Sequence, residues 1–244
     1  MYGYALGRYA YQRKKNPYHN HATGRFSTAP GGGTGKTIGP ESSNYVEGVN
    51  DSHIMKLSKG VFSSAVAHDT KVTKELKGIV KEADNGGTLE GLDFRVKSDA
   101  SMRRKIVSDA KEKMIPPEEA ASQIRDALRY TAILPPDGRK FHDAVNSQLE
   151  KLKAAGYTVT KLKNTWQSDG YKGINSAMTT KDGYEFELQF HTPQSFAAKE
   201  RAHKIYDDAR RVPAGSKESL AYQEQMKKIF DAVPIPEGAA TITK

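Results

Sequence analysis

The sequence predicts an α/β or α+β domain, a mixed β-sheet of about four to five strands with flanking helices, preceded by a disordered N-terminal arm. Three observations predict it. Residues 185–191 alternate strictly, with Phe186, Leu188 and Phe190 on one side and Glu185, Glu187, Gln189 and His191 on the other, the period of a strand with one buried face. The apolar run Leu128–Leu134 is closed by Pro135-Pro136-Asp137-Gly138 and followed by Phe141, Val145, Leu149 and Leu152 at helical spacing, a strand-helix unit. Residues 1–50 are rich in Gly, Pro, Ser, Thr, Asn and Tyr and carry no apolar period of either kind.

Taken in order, the chain divides into a flexible basic arm over 1–55 and a folded domain over 56–244. Ordered structure is expected to begin near Val61, with Val72, Leu76, Ile79 and Val80 marking a helix over 61–84 that stops at Asn85-Gly86-Gly87. Ser101 is a plausible N-cap for a second helix ending before Pro116-Pro117. After the 128–134 strand and its helix, strands are expected at 157–163, 171–179 and 184–190, the last two joined by a hairpin at Lys181-Asp182-Gly183. Helices near 194–211 and 217–231 close the domain, which then packs helices on a sheet.

Composition excludes several function classes. With no cysteine, disulfides and thiolate metal sites are impossible, which fits a reducing cytoplasm. No stretch approaches the roughly 18 apolar residues of a membrane span, and the first residues lack the apolar core of a secretory signal. The net charge is +9; residues 1–60 hold eight Lys or Arg against three Asp or Glu, so +5 of it lies there. Such a balance favours polyanionic partners, although many soluble proteins share it without binding nucleic acid.

Four segments place polar groups where a structural element would not need them. Arg95 and Lys97, then Ser101 and the cluster Arg103-Arg104-Lys105 in the first turns of a helix, suit a triphosphate or form a solvated basic face. Asp126, at the mouth of a strand, can hold Mg²⁺ through oxygen or serve as a turn residue. Tyr171, between Gly170 and Gly173, offers a ring for a base to stack on or is a half-buried strand residue. The row Glu185, Glu187, Gln189, His191 is a catalytic face or an ordinary solvated one. His203 is open between site and packing roles, Tyr206 is expected to pack, and Trp166 to brace the sheet.

Together these segments resemble the synthetase domain of the RelA/SpoT superfamily, a nucleotidyltransferase-like fold. The pattern R-x-K with a later Ser and Lys is met by Arg95, Lys97, Ser101 and Lys105, and an Asp opening a strand by Asp126. G-Y-x-[SG]-[IL]-[HN] is met by Gly170 to Asn175, and E-x-Q-x-[RH]-T by Glu187 to Thr192. The similarity covers about half the chain. It implies transfer of the β,γ-pyrophosphate of ATP to a ribose 3′-hydroxyl with Mg²⁺. Arg95, Lys97, Ser101, Lys105 and Arg129 would bind ATP, and Asp126 and Glu187 would be the catalytic and metal-binding acids. Tyr171, Asn175, Gln189 and His191 would bind the acceptor.

Departures fall mostly on the acceptor side. Gln167 and Asp169 stand where Lys and Asn often precede the Gly-Tyr pair, Asn175 replaces His, His191 replaces Arg, and Asp126-Ala-Leu-Arg129 is shorter than the usual Asp-to-Arg strand. The expectation is therefore a retained ATP half and an acceptor other than free GDP or GTP, with an adenine nucleotide or the 3′ end of tRNA as candidates, as in toxic small members of the superfamily with antitoxin partners. A second reading comes from Asn16–Ser27, which loosely resembles segments of phage head proteins: a virion-associated protein, docked on phage structural proteins, whose domain is catalytically idle. Pro30 to Thr37 mimics a P-loop but has Pro30 where the first Gly belongs, with no strand before it. The setting is expected to be a bacterial cytoplasm.

Overall fold

The computed structural model describes residues 48–81, 87–134, 141–209, 212–213 and 215–243, together with one short strand pair nearer the start. The chain divides into two units, Met1–Glu41 and Ser42–Lys244. In the first, β1 (His19–Asn20) pairs antiparallel with β2 (Arg25–Phe26), elements too short to leave a period in the sequence. The P-loop mimic and the rest of the arm up to residue 47 lie outside the described residues.

The second unit opens with α1, Ser52–Lys81, nine residues before the Val61 start expected from the sequence. Its signal is a cap rather than a period: Asp51 Oδ1 accepts from the backbone N–H of His53 at 2.7 Å and of Ile54 at 3.3 Å. The early turns bury Ser58 where an apolar residue would be sought, and its hydroxyl donates to Asp99 at 2.6 Å. The helix Asp99–Lys113 (α2) is capped by Ser98, which accepts from the N–H of Ser101, so Ser101 is helical and not the cap expected of it. A short helix α3 (Pro117–Ser122), with Pro at its first position, is unforeseen.

Five strands, β3 (Thr88–Glu90), β4 (Arg129–Ile133), β5 (Thr158–Asn164), β6 (Ile174–Thr179) and β7 (Glu185–His191), form a mixed sheet in the order β3-β4-β7-β6-β5. Only β4 and β7 run parallel; the other neighbours are antiparallel. The expected hairpin is present: Gly183, at φ 88°, donates to the Thr180 carbonyl between β6 and β7. The 171–179 strand begins only at Ile174, leaving Tyr171 on a loop.

One sheet face is core. Tyr130 and Tyr157 set their rings edge-on to Phe186 at 5.9 and 5.7 Å, and α1 covers them through Thr73–Tyr130 and Glu75–Tyr157 hydrogen bonds. The helix α4 (Phe141–Ala154) buries Phe141, Val145 and Leu152, with Phe141 edge-on to the fully buried Trp166, which braces the sheet as expected. On the opposite face lie α5 (Pro193–Ala209) and, packed on it, α6 (Lys217–Asp231). Thr192 and Ser195 fix the start of α5 by exchanging backbone-to-hydroxyl bonds of 3.0 and 3.2 Å, folding it back over the end of β7.

Candidate active site

Strand register sets the polar face. Paired residues across the sheet point the same way, so Arg129 of β4, Glu187 of β7, Ala177 of β6 and Lys161 of β5 form one row. Thr131, Gln189, Asn175 and Lys163 form the next, roughly 7 Å further along.

Before the Arg129 end of β4 stands Asp126. Its Oδ2 accepts from Lys97 Nζ at 2.6 Å, while its Oδ1 is buried and has no hydrogen-bond partner. Burial pushes this carboxyl up, but Lys97, then Lys105 and Arg129, outweigh it and hold it below the usual carboxylate value. Arg129 also acts on Lys199, which in turn feels Glu187. Lys97, Lys105 and Arg129 therefore all act on Asp126, and Arg129 and Glu187 both act on Lys199.

Three expected site residues are placed otherwise. Arg95 is turned to α1, where Asp69 takes its Nε and Nη2 at 2.6 and 2.7 Å, and its Nη1 donates to the Leu92 carbonyl. A bidentate pair of this kind commits the hydrogen-bonding edge that a phosphate would need. Ser101 bonds to Ser98 and Arg104 within its own helix. His191 is fully buried, with Nδ1 at 2.8 Å from Ser195 Oγ and Nε2 at 2.7 Å from Tyr171 Oη, so it orients Tyr171 instead of meeting an acceptor. Gly173 makes room for it, since a Cβ there would lie 2.7 Å from the imidazole.

The hydroxyl of Tyr171 reaches Asn175 Oδ1 at 3.0 Å and its ring lies edge-on to Phe230 of α6, so the ring is only partly open. Its burial, with Glu187 nearby, keeps the phenol protonated. Gln189 donates to Glu187 Oε1 and accepts from Lys199 Nζ at 2.6 Å. Lys199 and Asp69 were missed by sequence reasoning; the first lies in the charged run Lys199-Glu200-Arg201, which looks like a solvated helix face. His203 stands exposed beside Asp207, and Tyr206, expected to pack, is 50% exposed. Among the described residues no group of three or more His, Asp or Glu is placed to hold a metal ion.

The buried imidazole yields a pH prediction. Burial first, then the Lys199 charge, lowers His191 from 6.5 to about 3. Because the folded value lies below the unfolded one, the unfolded chain takes up the proton first. Stability is full above about pH 6.5 and falls by about 1.4 kcal/mol per unit on the way down toward pH 3. Urea unfolding at pH 6.5 and 5, where carboxylates stay ionised, should show this slope, and His191→Gln should flatten it. An equal slope in the variant would contradict the assignment.

No family model matches the chain. It is 28% identical over 138 residues to the (p)ppApp synthetase toxin Tas1 of Pseudomonas aeruginosa (strain UCBPP-PA14), an alignment covering 46% of this chain and 30% of that one. The chain therefore spans under a third of that curated relative's length. Its fold matches a GTP pyrophosphokinase family protein from Streptococcus pneumoniae with a TM-score of 0.50 at 14% identity, over 71% of this chain and 87% of the other. The Type VI effector Tas1, solved with its immunity protein, aligns at a TM-score of 0.47 and 23% identity over 72% and 96% of the two chains. No helix among the described residues is long and apolar enough to cross a membrane. The second unit thus has a fold similar to that of the GTP pyrophosphokinase family protein, and 138 residues of the chain are similar in sequence to the Tas1 toxin.

Proposed function

We propose that this chain transfers the β,γ-pyrophosphate of ATP to the ribose 3′-hydroxyl of an adenine nucleotide, and that the activity is toxic to the cell in which it acts. The observation that carries the reading is the pairing of Arg129 with Glu187 across β4 and β7 on the polar face, with the Lys97–Asp126 ion pair just before β4. Pyrophosphate transfer demands positioning and charge neutralisation more than covalent chemistry, and cations flanking two acids supply both. Lys97, Lys105 and Arg129 hold the triphosphate. Glu187 accepts the proton of the attacking hydroxyl, and Tyr171 with Asn175 bounds the acceptor.

Asp126 and Glu187 would hold Mg²⁺, and the buried, unpartnered Oδ1 of Asp126 fits such a ligand. When bound, the ion neutralises charge on the transferring phosphates. Two protein carboxylates suit an ion that completes its shell with water and phosphate oxygens.

Two features support adenine over guanine: the departures at Gln167, Asp169 and Asn175 lie on the acceptor side, and the similar toxin is named as a (p)ppApp synthetase. A protein that blocks the polar face, as the relative's immunity protein suggests by its existence, would be the natural partner. The test is γ-labelled ATP offered with ADP, GDP and uncharged tRNA separately. Label is expected in an adenosine product; label only in a guanosine product, or none in any, overturns the reading.

A further inference from the structure

The ammonium of Lys199 reaches from α5 into the strand rows of the polar face, and none of the four sequence motifs contains it. Its Nζ donates to Gln189 Oε1 at 2.6 Å and lies 3.3 Å from Thr131 Oγ1. The position is built. Lys199 follows Ser195 by one helical turn, and Ser195 is tied to Thr192 and to His191. The stem passes the Phe196 ring, with Nζ 5.6 Å from its centroid.

What Lys199 does follows from the donor inventory. A glutamine amide presents an acceptor at one end and donors at the other, and either orientation fits the same outline. Lysine can only donate, and an ionised carboxylate can only accept. With Lys199 on Oε1, the Gln189 Nε2 is obliged to face Glu187, where it donates to Oε1 and leaves Oε2 for the reacting hydroxyl. Without Lys199, the amide is free to turn its oxygen toward Glu187, and the carboxylate loses its anchor.

We propose that Lys199 is a positioning residue that acts through Gln189 to hold Glu187 in its working orientation. The proposal rests on the pyrophosphate-transfer reading for its kinetic consequence, but not for its structural one. The experiment compares full-length wild type, Lys199→Met and Lys199→Arg. Methionine keeps the buried stem and removes the donor; arginine restores it. Two readouts are taken: the side-chain amide resonances of Gln189, and kcat and KM for ATP with an adenine-nucleotide acceptor.

The expected result is a shifted, faster-exchanging Gln189 amide in Lys199→Met, with kcat lowered about 10- to 100-fold and KM for ATP within about twofold of wild type. Lys199→Arg should recover most of kcat and the wild-type amide signal. An unchanged Gln189 amide in Lys199→Met overturns the proposal, as does an unchanged kcat. So does a raised KM at constant kcat, which would put Lys199 on ATP itself. If wild type forms no product, the pyrophosphate-transfer reading fails, and the amide comparison alone still decides the Lys199–Gln189 link.

Discussion

Replacing Glu187 with Gln is expected to lower kcat by about 10²- to 10⁴-fold, the range for loss of a positioned general base, while leaving the affinity for a non-hydrolysable ATP analogue nearly unchanged. The geometry separates the two effects. Glu187 lies mid-strand in β7 opposite Ala177, whereas Lys97, Lys105 and Arg129, the cations proposed to hold the triphosphate, act on Asp126. The Gln carbonyl still accepts from Gln189, so the local network survives and thermal unfolding should move little. Single-turnover product formation with an analogue-binding control measures both. A variant that retains wild-type turnover would remove Glu187 from the chemistry.

Asp126→Asn should act on binding instead. The change keeps the shape of the side chain but removes the charge that pairs with Lys97 and leaves the buried Oδ1 position without a carboxylate to offer a cation. A hydrogen bond to a charged group contributes about 1.5–3 kcal/mol, so kcat/KM for Mg²⁺-ATP should fall by about one to two orders of magnitude, with the Mg²⁺ requirement moved to higher concentration. Magnesium titrations of the rate in wild type and variant check this. An unchanged magnesium dependence would leave Asp126 as no more than the partner that holds Lys97.

Much of this was legible because it is local. The alternation in Glu185–His191, the Gly183 turn and the helical spacing from Phe141 each depend on neighbours within a few residues, and each lies where the sequence placed it. What was hidden depends on distant segments choosing partners. Arg95 reads as a phosphate ligand until Asp69, on α1, takes its guanidinium edge. Tyr171 reads either as a stacking ring or as a half-buried residue until Phe230 comes against it from α6 and half-buries it. His191 reads as a site residue because alternation puts it on the polar face, but α5 closes over that end of β7 through Ser195. Lys199 is the converse case, a surface-looking lysine that the same closure carries inward. The first turns of α1 were missed because Ser58 breaks the apolar stripe and the Asp51 cap lies in a segment that reads as arm.

The two short ion pairs differ in what they leave unsatisfied. Arg95–Asp69 joins α1 to the start of the sheet and contributes to holding Tyr130, which bonds the same carboxylate. Lys97–Asp126 is as short but leaves one carboxylate oxygen buried and unsatisfied, a cost of about 1–3 kcal/mol that a ligand would relieve.

The most direct measurement is a crystal structure of the full-length protein with Mg²⁺ and a non-hydrolysable ATP analogue. The triphosphate is predicted over the β4–β7 pair, against Lys97, Lys105 and Arg129, with the terminal phosphates between Asp126 and Glu187. A triphosphate bound on any other surface, with Glu187 facing only solvent, would contradict the account.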